Sequence, residues 1–164
     1  MKTCFFIGHR EPCPEIRADL TEAIRTLIIR SGVTEFVVGG YGGFDALAAE
    51  MVREQKKEFP EVRLIRLLPY YREKRGTNEG DDGTLYPPGM ETVPKRFAIP
   101  RANRYMVEHA DELIAYVWHP ASNAMEILNY AKRRERRGLI RIHDLGKKRK
   151  QSPEGIASGL DREE

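Results

Sequence analysis

The chain has 164 residues, 40% hydrophobic and 32% charged, the composition of an ordinary globular domain long enough to bury a core. It holds no stretch of about 18 apolar residues, which argues against a membrane-spanning helix, and two cysteines are too few for a disulfide framework. The formal charge of +3 is unevenly spread: residues 132–150 carry ten Lys or Arg against Glu135 and Asp144, a net of +8, which leaves about −5 for the rest.

The N-terminus MKTCFFIGHR turns polar after about five apolar residues, too few for the apolar part of a secretion signal, so a cytoplasmic protein with Cys4 and Cys13 as free thiols is expected. Thr3 to Ile7 is a continuous apolar run of strand length. Ile16, Leu20, Ile24, Leu27 and Ile28 then recur at helical spacing, and Gly32 stands where a C-terminal cap belongs. Glu35 to Val38 predicts a second strand. The glycines of VVGGYGGFD follow, and Phe44, Leu47, Ala48, Met51 and Val52 mark one face of a helix that stops near Pro60. Val62 to Leu68 predicts a third strand, ended by Pro69.

From Tyr70 to Pro94 the pattern dissolves into a stretch rich in Gly, Pro and charge, expected as a long loop of the kind that forms lids and binding loops. Ala98 to His109 resumes helical spacing, and Glu112 to Trp118 predicts a fourth strand. Asn123 to Arg137 predicts a helix ending at Gly138, and Leu139 to Ile142 a short fifth strand. Residues 146–164 are basic and polar without periodicity, and a disordered tail is expected there.

Strands alternating with helices of this length imply crossover units, a parallel sheet and helices on both faces. The expected fold for residues 1–145 is therefore a Rossmann-like α/β three-layer sandwich with a mostly parallel five-stranded sheet in the order 3-2-1-4-5. In such sheets ligands bind beyond the carboxyl ends of the strands, where neighbouring connections leave in opposite directions. The loops after the first, second and fourth strands are the ones to examine.

After the first strand, Gly8 permits a sharp turn, while His9 and Arg10 bring a candidate proton donor and a fixed cation to the mouth of the site. After the second, Gly39, Gly40, Tyr41, Gly42 and Gly43 lead into a helix, an arrangement in which main-chain N–H groups and the helix dipole can meet a phosphate or a ribose. Asp45 could accept hydrogen bonds from a ribose or cap that helix. After the fourth, Ser122 or Asn123 is a good N-cap with further open N–H groups behind it, and upstream Arg101 and Arg104, with Asn103 between them, share a helix that could clamp a phosphate. No Cys or His spacing suggests a metal, and none is expected.

Together, the strand CFFIGHR, the glycine turn into GFDALAAEMV, a third strand ending LLPY, and RANRYMVEHADELIAYVW followed by NYAKRR resemble the YpsA-like (DUF1273) proteins of the SLOG superfamily, which includes the DprA/Smf DNA-processing proteins and the lonely-guy phosphoribohydrolases. The resemblance covers about residues 3 to 143. It implies a Rossmann-like domain that binds a nucleotide or nucleotide-derived ligand, with Gly8 and Arg10, then Gly39, Gly40, Gly42, Gly43 and Asp45, then Arg101, Asn103 and Arg104 at matching positions. Relatives usually carry a Gly-Gly-Thr-like turn where this chain has Ser122, Asn123 and Ala124.

The leading expectation is a sensor or binding domain for a small nucleotide-derived molecule, leaning away from an enzyme. The alternative is a lonely-guy type nucleoside 5′-monophosphate phosphoribohydrolase, with Asp45 and Glu126 as candidate catalytic carboxylates and Arg10 and Arg104 on the phosphate. A second alternative, ranked last, is nucleic-acid binding through residues 132–150. A homo-oligomer is compatible with all three.

Overall fold

A computed structural model describes residues 1–11, 14–70 and 80–146; Cys13, residues 71–79 and the tail beyond Gly146 lie outside the described residues. The elements in chain order are β1 (Lys2–Gly8), α1 (Ile16–Ser31), β2 (Val33–Val38), α2 (Gly43–Glu58), β3 (Arg63–Leu67), β4 (Gly83–Leu85), a 3-10 turn (Met90–Thr92), α3 (Lys95–His109), β5 (Glu112–Tyr116), α4 (Asn123–Arg136) and β6 (Arg141–Asp144). Helix boundaries follow local chemistry. The apolar stripe Ile16, Leu20, Ile24, Leu27 and Ile28 is the buried face of α1, and Gly32 ends it in the left-handed region, φ 69°, with its N–H on the Leu27 carbonyl.

The six strands lie in the order β4-β3-β2-β1-β5-β6, and every pairing is parallel. A sequence reading of five strands misses β4, which lies inside the stretch expected to be one long loop. Three residues, Gly-Thr-Leu, are too few to show a period, and pairing rather than propensity makes them a strand. Asp82 donates its N–H to the Leu64 carbonyl at 2.7 Å and accepts the Leu64 N–H on Oδ2 at 2.8 Å, while Leu68 N–H reaches the Leu85 carbonyl at 2.8 Å. With β4 set aside, the remaining five strands keep the expected order.

Several boundaries also move. Helix α3 starts at Lys95 rather than Ala98, β5 ends at Tyr116 rather than Trp118, and the last strand is Arg141–Asp144 rather than 139–142. The last shift comes from the end of α4: Gly138 adopts φ 71°, and Leu139 N–H closes back onto the Arg134 carbonyl, so residues 138–139 finish the helix.

Alternation along the strands divides the core in two. Cys4, Phe6, Phe36, Val38, Leu64, Ile114 and Tyr116 pack with α1 and α2 on one face, and Phe5, Ile7, Val37, Ile65, Leu67, Leu113 and Ala115 with α3 and α4 on the other. Burial of both faces is what a parallel sheet requires. Cys4 is a buried free thiol, and burial pushes its pKa well up, which keeps it an inert core side chain.

β1 and β5 are neighbours, with Gly8 opposite Tyr116. From β1 the chain turns to α1 on one face, and from β5 to α4 on the other, which opens a crevice at their carboxyl ends. Among the described residues no helix is long and apolar enough to cross a membrane.

Candidate functional site

A cavity of about 490 Å³ occupies that crevice, within the usual size of small-molecule sites. Of the residues singled out in the sequence, Gly8, His9, Arg10, Gly39, Tyr41, Asp45, Asn103, Ser122, Asn123 and Glu126 line it. Gly40, Gly42 and Gly43 do not line it. Arg101 and Arg104 lie on other hollows of the surface. Sequence reading did not nominate Tyr70, Lys95, Arg96 or Ile99, which also line the cavity.

The periodicity of α3 explains that sorting. Arg96, Ile99, Pro100 and Asn103 stand at i, i+3, i+4 and i+7 and form the cavity-facing stripe. Arg101, Arg104, Tyr105 and Glu108 form a second stripe, turned toward Pro87, Pro88 and Met90. Arg104 is held there by Glu108, 3.2 Å away, and by the Tyr130 ring, 4.7 Å from its guanidinium carbon.

The glycines do different work from that suggested by their pattern. A Cβ on Gly8 would lie 2.2 Å from Phe44 Cδ1, and one on Gly42, at φ 125°, would lie 2.9 Å from Arg10 Cα. The loops after β1 and β2 are thus packed backbone to backbone. Gly43 N–H donates to the Arg10 carbonyl at 2.7 Å and Phe44 N–H to the His9 carbonyl at 3.3 Å, so the first donors of α2 are used inside the protein and are closed to an anion.

His9 joins the loops on the other side of β1. Its Nε2 accepts the main-chain N–H of Trp118 at 3.0 Å and of His119 at 3.1 Å, and its ring stands edge-on to Trp118 with centroids 5.0 Å apart. An Nε2 that accepts two N–H groups carries no proton, which assigns the neutral ring's proton to Nδ1. The residue is a strut between the β1 and β5 loops.

Arg66 braces the Gly39 wall. It donates to the Gly39 carbonyl at 2.7 Å and forks onto Asp81 at 3.1 and 3.2 Å; Asp81, whose side chain is fully buried, also holds Arg53 at 3.2 Å. This network crosses from β3 to the turn before β4 and to α2.

Asp45 faces the cavity from the first turn of α2, its Oδ2 accepting Tyr41 N–H at 3.3 Å. Although the residue keeps some exposed surface, its surroundings desolvate the carboxyl and push its pKa up to about 6, against the lowering effects of Tyr41 N–H and Arg66. The sign follows. Below pH 3.8 the proton is present in both states and nothing is lost; between pH 3.8 and about 6 the unfolded chain releases it first, so stability falls, and above that the loss is constant. Asp45→Asn is therefore expected to stabilise the protein by about 3 kcal/mol at pH 8 and by almost nothing at pH 3.5. Urea unfolding at the two pH values checks this; an equal gain at both would mean the carboxyl is not desolvated.

The start of α4 is an open helix terminus. Ser122 Oγ caps Met125 N–H at 3.1 Å, while the N–H groups of Asn123 and Ala124 find no acceptor among the described residues. Both residues line the cavity, with Arg10, Lys95 and Arg96 in the same lining. An anion is the ligand group such a terminus favours. Among the described residues no group of three or more His, Cys, Asp or Glu is placed to hold a metal ion.

No family model matches the chain, and no curated protein matches it. Among solved structures it is similar in fold to DNA processing protein A from Helicobacter pylori, described for its single-stranded DNA binding mode, at 20% identity and a TM-score of 0.56, over 82% of this chain and 62% of that one. This chain thus spans less than two thirds of that protein's length.

Proposed function

We propose that the chain is a YpsA-like SLOG domain that binds a nucleotide-derived small molecule in the cavity between β1, β2 and β5. The observation that carries this reading is the pairing of an open helix N-terminus, at Asn123 and Ala124, with Arg10, Lys95 and Arg96 around one cavity that also presents a half-buried carboxyl, Asp45. The phosphate goes to the α4 terminus and the ribose hydroxyls to Asp45. Ser122 is extended, φ −86° and ψ 155°, so Asn123 can become the first-turn proline that helices tolerate. Asn123→Pro removes one anion-facing N–H without breaking the helix. Calorimetry with AMP, ADP-ribose and NAD is expected to show saturable binding for at least one, weakened about tenfold by Asn123→Pro, the loss of one charge-assisted hydrogen bond. Silence from all three with folded protein would sink the proposal.

Two further readings have their own support. Asp45 and Glu126 line the same cavity, which favours an N-glycosidic hydrolase; free base released from AMP or isopentenyl-AMP tests it, and release that survives Asp45→Asn with Glu126→Gln excludes those carboxylates. The fold likeness to a single-stranded DNA binding protein supports a nucleic-acid ligand.

A further inference from the structure

Helices α3 and α4 pack side by side, and beside the cavity they leave a second hollow of about 560 Å³. Each helix contributes one stripe. On α3 it is Phe97, Pro100, Arg101 and Arg104, and on α4 Glu126, Ile127, Tyr130 and Arg133, both at the spacing of one helical face. Val93 and Pro94 close the end where α3 begins. Phe97 is 51% exposed, with Pro94 and Pro100 exposed beside it and Val93, Ile127 and Tyr130 half-buried. A large apolar ring open to solvent on a concave apolar surface marks a face that another molecule covers.

The cations of this hollow are three arginines, and among the described residues Glu126 is the one carboxylate in its lining, so positive charge is in excess. Arg104 shares Glu108, 3.2 Å away, whereas Arg101 and Arg133 have no carboxylate partner among the described residues. Arg104 and Arg133 rest on the Tyr130 ring, 4.7 and 5.6 Å from its centroid, and Arg96 supports the Phe97 ring at 4.8 Å.

We infer that the outer hollow is a docking groove for an acidic segment of a partner protein: its carboxylates meet Arg101, Arg104 and Arg133, and one bulky apolar side chain seats against Phe97. Charge complementarity over an apolar floor supports this choice. Arginine forks match carboxylates two bonds at a time, and guanidinium groups already laid on a ring lose less freedom on binding. A trough between two packed helices suits a peptide held by a few anchoring side chains. A nucleic-acid strand satisfies the same arginines but lays hydrated phosphate and sugar over Val93, Pro94 and Ile127, whereas an apolar anchor covers them. This partner site goes beyond the small-molecule reading of the cavity and does not depend on it. The two hollows share Pro100, Glu126 and Ile127 as walls, but Phe97, Arg101, Arg104 and Arg133 do not line the cavity.

Fluorescence anisotropy of the full chain with a short labelled peptide, alternating aspartate and glutamate around one central tryptophan, tests this. Saturable binding is expected, weakened at least about tenfold when alanine replaces the tryptophan, the scale of one lost interface anchor. Phe97→Ser and Arg133→Glu, both at exposed positions and made separately, should each weaken it about tenfold, and Arg133→Glu should leave AMP calorimetry unchanged. No saturable binding to folded protein, an alanine peptide that binds equally well, or binding indifferent to both variants overturns the inference. Oligothymidylate that displaces the labelled peptide at lower concentration than the unlabelled peptide does gives the surface to nucleic acid, and a dimer in sedimentation that Phe97→Ser dissolves gives it to a second copy; either overturns the choice of partner. AMP silence with groove-dependent peptide binding sinks the cavity reading alone, and AMP binding with peptide silence sinks the docking groove alone.

Discussion

Gly8→Ala is expected to cost at least about 3 kcal/mol, the top of the range for overpacking a closed core, and to leave little folded protein at physiological temperature. The new methyl group would stand 2.2 Å from Cδ1, 2.3 Å from Cγ and 2.7 Å from Cβ of Phe44. That ring cannot step aside. It is fully buried, stacked on Tyr116 at 5.9 Å and edge-on to Phe6 at 6.4 Å, in the cluster that joins β1, β2 and β5 to α1 and α2. Thermal unfolding followed by circular dichroism measures the loss. If the ring is the obstacle, Gly8→Ala combined with Phe44→Ala should cost clearly less than the two single changes added together; strict additivity would place the strain elsewhere.

Asp81→Ala is expected to destabilise by about 3 kcal/mol, the lower end for breaking a buried ion pair from one side. Its carboxylate is fully buried and bonded to both Arg66, 12% exposed, and Arg53, 36% exposed. Truncation leaves Arg66 with no bonded carboxylate beneath the Gly39 turn, while the more open Arg53 is partly rehydrated by solvent. Replacing Asp81 and Arg66 together with leucine and methionine should recover much of the loss, because no lone buried charge is left. Urea unfolding of the single and double variants decides it: a double variant as unstable as Asp81→Ala would show that packing, not the orphaned charge, is at stake. The network also carries the Gly39 carbonyl, so AMP affinity should fall in the single variant even under conditions where it stays folded.

Much of the fold was legible because helices α1, α2 and α4 are amphipathic over fourteen residues or more, and the strands they connect are short unbroken apolar runs. Alternation of strand and helix then restricted the sheet to a few orders. What escaped was carried by partners distant in sequence. β4 exists because Leu64 and Leu68 supply its hydrogen bonds, and Asp81 matters because Arg53 and Arg66 converge on it.

The site divides the same way. Position at the carboxyl ends pointed to loops that line the cavity, so Gly8, Arg10, Asp45 and Asn123 were visible before their neighbours were. The phase of α3 was not: a helix read from Ala98 hides Lys95 and Arg96 and gives no reason to turn Asn103 inward and Arg104 outward. Nor does a glycine announce whether it makes room for a ligand or for a phenylalanine, as Gly8 shows. The turn Ser122–Ala124 holds no glycine and nevertheless keeps open amide hydrogens at the head of α4.

The outermost strands have a consequence for the chain while it is still folding. A parallel sheet is assembled from distant segments, and its unfinished borders can recruit other chains. Among the described residues one border closes with the three residues Gly83–Leu85 and the other with Arg141–Asp144, whose sequence RIHD carries Arg141 and His143 onto the buried carboxylate of Glu112. A terminal ribbon so brief on one side, and so charged on the other, is a poor template for intermolecular addition, so refolding at high concentration should tolerate changes at Thr84 far better than an apolar residue at Arg141.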